Sequence, residues 1–211
     1  MTTQPAKNEE RAIKRAPKIE RRGENSETHL VGYAAVFFRD DDPGTEYKLW
    51  ENVYERIVPG AFDKIAENDV RGLFNHNRDL VLGRVKSGTM TLGVDEVGLR
   101  YDITLADTQT ARDLAAAVER GDIDGSSFAF VATSVTWRDE ERSSTATEIR
   151  EINGCDVYDV GPVTFPAYTA TTSSTSAVAE RSRDEWRAAE QTERAKQKRR
   201  ARRIAYARAR E

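Results

Sequence analysis

The sequence has few of the residues that most often bind metals or form cross-links: two histidines and one cysteine among 211 residues. The single Cys155 excludes an internal disulfide, and a reducing, cytosolic setting is the default expectation for such a chain. The two histidines, His29 and His76, lie far apart in the sequence and match no zinc-ligand spacing. We therefore expect neither a metal nor another cofactor.

Long apolar stretches and phosphate-binding loops are also missing. No run of about 18 apolar residues is present, so the sequence predicts no membrane-spanning helix. Residues 1–24 lack the apolar segment of a secretory signal. Neither G-x-x-x-x-G-K-[ST] nor a strand-flanked G-x-G-x-x-G occurs, which disfavours the nucleotide-binding enzymes that use these loops.

Charge is abundant but unevenly distributed. Charged residues make up 33% of the chain against 38% hydrophobic ones, which indicates that part of it is not globular. Residues 180–211 contain 12 Lys and Arg against 6 Asp and Glu, a net charge of +6, so residues 1–179 carry −9. An acidic body with a basic tail favours an interacting tail over a DNA-reading domain.

The composition divides the chain into three predicted parts. Residues 1–27 are charged and have little to bury, so we expect a flexible N-terminal segment. Residues 28–170 alternate apolar runs with turns and predict one strand-rich domain. Residues 171–211 predict a Ser/Thr-rich linker and a basic helical tail. Because strands do not alternate regularly with helices, the fold class is α+β rather than a doubly wound sheet.

Within the central domain, several elements are predicted from local signals. A helix is expected over residues 107–121, capped by Asp107 or Thr108 and ended by Gly121. A second helix is expected from Ala61. A hairpin is expected around residues 95–98, and the Asn153-Gly154 pair predicts a turn between two strands.

The stretch GDIDGSSFAF (residues 121–130) raises the question of a nucleophile. Ser126 and Ser127 follow Gly125 and lead into an apolar strand, which is also an ordinary place for a structural serine. No G-x-S-x-G elbow is present, so an α/β-hydrolase is disfavoured. A serine nucleophile needs an adjacent base, and the base needs a third group that holds its tautomer.

His76 is the only credible base, because it lies in a polar break between apolar segments. Its neighbours Asn75 and Asn77 permit unusual backbone angles and local hydrogen bonds. His29 lies at the start of a strand and is interpreted as structural. The third group would come from the acidic residues that follow the serines: Glu148, Glu151, Asp156 and Asp159.

Four motifs occur together and in order: IVPGAF (57–62), LFNHNRDLVLGRVKSGTMTL (73–92), GLRYDITLADTQTARDLAAAVERGDIDGSSFAF (98–130) and DVGPVTFPAY (159–168). This combination resembles the prohead proteases of tailed bacteriophages, over about residues 30–170. The resemblance implies a mostly antiparallel, β-barrel-like core flanked by helices, similar to the herpesvirus assembly protease.

The resemblance also implies roles for individual residues. The histidine of the family's NH motif falls on His76, and the serine before F-x-F falls on Ser127. Asp159 stands where the family usually carries Glu, and Glu148 and Glu151 are weaker candidates. The second histidine of the herpesvirus relatives has no counterpart downstream. The oxyanion donors stay open between Gly161 and the amides that flank the serine.

The implied function is a serine endopeptidase that acts inside the prohead, in the host cytoplasm. It would cleave the major capsid protein, the scaffold and itself. Herpesvirus relatives are activated by dimerisation, which makes a homodimer an option. The basic tail has the scaffold, the capsid interior and nucleic acid as candidate contacts. Two alternatives remain: a non-catalytic assembly factor of the same fold, and a nucleic-acid-binding module, which the acidic body disfavours.

Overall fold

The structure is a computed structural model that describes residues 8–142, 144–166 and 173–208. Strands dominate this part of the chain, with one helix inside the strand-rich region and one after it. The strands are β1 (Glu9–Ile13), β2 (Lys18–Arg22), β3 (Glu27–Val36), β4 (Glu46–Trp50), β5 (Val53–Ile57), β6 (Arg71–Leu73), β7 (Val81–Arg84), β8 (Met90–Val94), β9 (Gly98–Thr104), β10 (Gly125–Arg142) and β11 (Thr145–Val163). The helices are α1 (Gln109–Arg120) and α2 (Ser173–Arg208).

The strands form two sheets. The first has the order β1-β10-β11-β5-β4, with β6 paired to β11 and β7 paired to β6; the second has the order β2-β3-β9-β8. All pairs are antiparallel except β11 with β5 and β11 with β6. The predicted α+β, mostly antiparallel fold is therefore confirmed.

The predicted barrel-like closure is wrong for the described strands. The first sheet keeps β1, β4 and β7 as edges, and the second keeps β2 and β8. The reason is that the two sheets share a core of side chains between them instead of pairing their edge strands. The likeness to the herpesvirus protease stays a prediction.

An aromatic cluster fills the space between the sheets. The Phe62 ring lies 5.8 Å from that of Phe37 and 6.0 Å from that of Phe128, which stacks at 4.6 Å on Phe130. Side chains alternate between the two faces of a strand, so Phe128 assigns its neighbour Ser127 to the opposite face. The core therefore fixes which face of β10 is left for chemistry.

The prediction of a flexible segment over residues 1–27 is wrong for the two strands β1 and β2. Residues 1–7 lie outside the described residues. β1 pairs with β10, and its charged side chains Glu9 and Arg11 are buried. Charged residues are almost never buried unless they are paired, and these two find partners in Glu55 and Arg150. From composition alone, Glu9 and Arg11 were expected to be exposed to solvent.

Helix α1 forms as predicted. The Thr108 hydroxyl accepts a hydrogen bond from the Ala111 amide, and Gly121 ends the helix with a φ of 80°. The helix predicted from Ala61 is wrong: only a turn and a short 3-10 helix over Ile65–Glu67 form, without a side-chain cap. Ala61 and Phe62 are instead drawn into the core.

The two predicted turns have opposite outcomes. β8 and β9 form the hairpin expected around residues 95–98. The turn expected at Asn153-Gly154 is wrong, because β11 runs through both residues, with a register irregularity where it passes Ser134. The ladder of β10 and β11 extends as far as the pair Arg142 and Thr145.

Residues 176–211 cluster as a separate unit, and most of α2 belongs to it. The Ser/Thr-rich stretch predicted as a linker is helical from Ser173. Serine and threonine cost a helix only a few tenths of a kcal/mol each, so they do not prevent its extension. None of the helices in the described ranges is long and apolar enough to cross a membrane.

Candidate active site

The face of the first sheet that points away from the aromatic cluster brings together Ser127 of β10, Asp159 of β11 and His76, which follows β6. The Ser127 Oγ lies 2.6 Å from His76 Nε2, and the Asp159 Oδ1 lies 2.5 Å from His76 Nδ1. These three residues, 51 and 32 positions apart in sequence, therefore form one continuous hydrogen-bonded chain.

The loop after β6 holds His76 through its neighbour Asn75. Both residues have a φ of 54°, in the left-handed region, which asparagine and histidine enter more readily than most residues. The Asn75 side chain donates to the Thr164 hydroxyl at 3.0 Å and accepts from the Thr164 amide at 2.8 Å. The Asn75 amide also donates to the Pro162 carbonyl. The predicted role of asparagine in this break is confirmed at Asn75.

Asp159 lies at a break in the β10–β11 register. Asp159 is opposite Ala129, but the next residue of β10, Phe130, is opposite Val157, so Tyr158 is an extra residue. Such bulges re-aim neighbouring side chains and are frequent beside active sites. The shorter aspartate reaches His76 because β6 also pairs with β11 at this point.

The other candidate acids do not belong to this hydrogen-bonded chain. Glu151 pairs with Arg138, whose Nε lies 2.9 Å from its carboxylate. Glu148 lies opposite Asp139, and Asp156 lies opposite Val131, before the bulge. Of the four acids weighed from the sequence, Asp159 is the one that the described contacts bring to the imidazole.

The adjacent serines face opposite sides of β10. The Ser126 Oγ lies 2.8 Å from the Tyr101 hydroxyl, inside the core, whereas Ser127 faces the imidazole. Both serines have no exposed surface. The sequence alone could rank them only through the position of F-x-F, and strand alternation now separates them by environment.

The carboxylate fixes the tautomer of His76. A carboxylate only accepts hydrogen bonds, so Nδ1 carries the proton and Nε2 is a free acceptor opposite Ser127. Burial lowers the pKa of His76, but the hydrogen bond and charge of Asp159, with a smaller effect of Glu10, outweigh it. The pKa therefore lies above its ordinary value of 6.5.

Gly161 permits the close approach on which this geometry depends. It lies opposite Ser127 on β11, and a Cβ at this position would overlap the Leu73 carbonyl oxygen of β6. From the sequence, Gly161 was predicted only as a candidate oxyanion donor, and this packing role was not predicted. The available sequence signal for this role was the short spacing between β6 and His76, because it requires β6 to lie close to Ser127.

The remaining reactive side chains lie elsewhere. His29, on the second sheet, places its Nδ1 2.8 Å from Asp102 Oδ1. Cys155 is buried, and burial raises the pKa of its thiol to about 12, which disfavours a thiolate nucleophile. Within the described ranges, no three His, Cys, Asp or Glu side chains cluster as a metal site would require.

The family model described as caudovirus prohead serine protease matches residues 15–187. Among solved structures, the capsid assembly protease of bacteriophage T4 is similar, with 12% identity and a TM-score of 0.47, over 77% of this chain and 100% of that one. No curated protein matches the chain. Since the family match spans well over half of the 211 residues, the chain belongs to the caudovirus prohead serine protease family.

Proposed function

We propose that the protein is a serine endopeptidase that cleaves the major capsid protein, the scaffold or both inside the prohead, and that it also cleaves itself. The observation that carries this proposal is the chain of two short hydrogen bonds from Asp159 through His76 to Ser127. Family membership supports the setting, an immature phage capsid in the host cell.

In the proposed reaction, His76 Nε2 takes the Ser127 proton while Oγ bonds to the scissile carbonyl carbon. The imidazolium then gives that proton to the leaving amine as the C–N bond breaks. A water molecule, deprotonated by the same imidazole, attacks the acyl-enzyme and restores the serine hydroxyl. Asp159 would act as a positioning residue that keeps Nδ1 protonated and stabilises the imidazolium.

The partners follow from the same proposal. The capsid and scaffold proteins would be the substrates, and an extended terminal segment of the chain would be the natural site of self-cleavage. For the basic tail we favour a contact with the scaffold or the capsid interior. The homodimer stays a prediction from the resemblance.

The test is co-expression of the chain with the major capsid and scaffold proteins of its phage. We expect both to be shortened, and we expect Ser127→Ala and His76→Ala to stop the shortening. Ser126→Ala is the matched control, because its side chain faces the core, and it should still process once its folding has been checked. If Ser127→Ala assembles particles and processes as wild type does, the protein is a non-catalytic assembly factor.

A further inference from the structure

Phe165 directly follows a residue that is bound to the loop of the proposed base. The Thr164 hydroxyl accepts a hydrogen bond from the Asn75 side chain at 3.0 Å, and the Thr164 amide donates to the same side chain at 2.8 Å. Asn75 is the sequence neighbour of His76. Phe165 is therefore held one residue away from the contact that positions the imidazole.

The residue after Phe165 packs against the strand of the proposed nucleophile. The Pro166 ring occupies the space that a Cβ at Gly125 would fill. Gly125 begins β10, two residues before Ser127. A residue that precedes proline is also restricted to extended backbone. Phe165 is therefore fixed between one contact to the base and another to the nucleophile.

The Phe165 ring is nevertheless turned to solvent. Its exposed fraction is 66%, the highest among the large apolar side chains of the described residues, and Val81 follows with 57%. Val81 begins β7 and pairs with Leu73 of β6, so it directly follows the loop that holds His76. Single exposed apolar residues are ordinary, but apolar residues gathered at a reaction site are typical of ligand-binding grooves.

A substrate of Ser127 has to pass beside these two side chains, which we call the apolar patch (Phe165 and Val81). The scissile carbonyl must come within about 3–3.5 Å of the attacking oxygen. Each residue of an extended peptide adds about 3.3 Å, so the residues next to the scissile bond lie over the elements around the serine. The apolar patch is attached to those same elements.

The chemistry of the apolar patch limits what it can select. The main chain of a peptide is the same for every sequence, so selection depends on side-chain contacts. The side chains of Phe165 and Val81 offer neither a charge nor a hydrogen-bonding group. A polar side chain buried against them would lose its water without gaining a partner, whereas an apolar one gains from burial.

From these observations, which rest on the proposed function, we propose that the apolar patch is a substrate subsite and that Phe165 is its specificity-determining residue. The preferred substrate is an extended peptide with a bulky apolar side chain, such as Leu, Ile, Met or Phe, within about two residues of the scissile bond. The histidine loop and the segment after β11 thus serve both catalysis and selection.

The test maps the bonds that the full chain cleaves in a library of tryptic peptides from a bacterial proteome. Mass spectrometry of the new termini gives the residue frequencies at each position around the cleaved bond. We expect large apolar residues to be enriched at one position close to that bond. For two synthetic peptides that differ there by Leu or Ser, kcat/KM should favour Leu at least about tenfold.

Phe165→Arg is the decisive variant, because it puts a cation where the ring was. We expect the apolar preference at that position to disappear and a preference for Asp and Glu to replace it, since opposite charges attract. The Leu-to-Ser ratio of kcat/KM should fall below about threefold. A changed preference at one position, with cleavage retained, is not expected of a residue that only supports the fold.

Val94→Ser is the matched control for Val81→Ser, because Val94 is 45% exposed on β8 of the second sheet. Val81→Ser should weaken the apolar preference, and Val94→Ser should leave it unchanged. If Phe165→Arg does not fold, Phe165→Ala replaces it, with the same expected loss of preference. When only the co-expressed capsid protein is cleaved, the apolar residue beside its cleaved bond is changed to Ser instead, and the rates are compared there.

Two results overturn the subsite but leave the protease intact. One is cleavage by wild type without an apolar preference near the bond. The other is an apolar preference that persists in folded Phe165→Arg or Phe165→Ala. If wild type cleaves neither the peptide library nor the co-expressed capsid and scaffold proteins, the proposed function itself is overturned.

Discussion

In the proposed mechanism Asp159 acts through His76, so its removal should affect both the rate and its pH dependence. The proposed reaction requires neutral His76, so activity should rise as the pH rises through a pKa that Asp159 holds above its ordinary value. In Asp159→Asn that pKa falls, and the acid limb of kcat/KM should move to lower pH. The rate itself should fall by about 10²–10⁴-fold. A pH series of peptide or capsid-protein cleavage measures both effects.

Asp156→Asn is the control for this prediction. Asp156 lies on the same strand, opposite Val131 and on the far side of the bulge. It should change neither the rate nor the midpoint of the acid limb. A midpoint in Asp159→Asn that equals that of wild type would contradict the coupling between the carboxylate and the imidazole.

Ser126 makes a different kind of contribution, to stability. Ser126→Ala leaves the buried Tyr101 hydroxyl without its partner at 2.8 Å. A buried polar group that loses its partner costs about 1–3 kcal/mol, and chemical denaturation should show a loss of that size. Ser134→Ala, at an exposed position of the same strand, should stay within about 0.5 kcal/mol of wild type.

At the level of residues, the site was predicted by the combination of several motifs and not by any single motif. His76, Ser127 and Asp159 were selected by resemblance to a family, and the structure places them in hydrogen-bonding contact. Local patterns could not have done this, because a turn histidine and a strand serine are ordinary structural residues. The burial of Glu9 and Arg11 was missed because it depends on partners about 45 and 140 positions away.

The close approach of β6 to β11 depends on Gly161. An added methyl group should therefore affect the site most at this position. In Gly161→Ala the new Cβ meets the Leu73 carbonyl, so β6 must shift and His76, three residues further along, moves with it. Overpacking of this kind costs about 1–3 kcal/mol. Denaturation should show that loss, and fluorophosphonate labelling of Ser127 should slow.

Gly93→Ala is the matched control, because a Cβ there meets open space. It should change stability and labelling little. Gly161→Ala with wild-type stability and labelling would show that β6 can give way without disturbing His76.

Elements were predicted well where the signal was local. α1 has its cap, Thr108, and its glycine stop, Gly121, directly beside its two ends, and the β8–β9 hairpin has its turn residues between its two strands. The turn expected at Asn153-Gly154 failed because the long ladder with β10 carries β11 straight through it. Sheet pairing thus overrides a local turn preference when the partner strand continues past the turn.

For the molecule as a whole, the sequence predicted the α+β fold class, but it did not predict that the two sheets stay open instead of closing into a barrel. The strand-rich composition and the irregular spacing of helices were enough to predict an α+β fold class. Whether two sheets share a core or close into a barrel depends on edge pairing between distant strands, and no local pattern encodes it. The edge strand β1 is the clearest case, since its pairing with β10 joins residues more than 110 positions apart.

Helix α2 concentrates the positive charge that the acidic body lacks, so we expect it to carry any binding to polyanions. Lys196, Lys198, Arg199 and Arg200 are exposed on it. For a fluorescent single-stranded oligonucleotide, the logarithm of the affinity should fall linearly with the logarithm of salt concentration. Changing these four residues to Gln should reduce the slope by up to about 3, since each phosphate contact contributes about 0.7.

The control changes four exposed lysines of the strand-rich body to Gln: Lys18, Lys48, Lys64 and Lys86. It removes the same charge from the chain but should leave the salt slope as it is, because those lysines belong to residues 1–179, which carry a net charge of −9. Equal loss of slope in the two sets would show that net charge alone governs binding. Processing of the capsid protein should persist in both sets, because neither touches His76, Ser127 or Asp159.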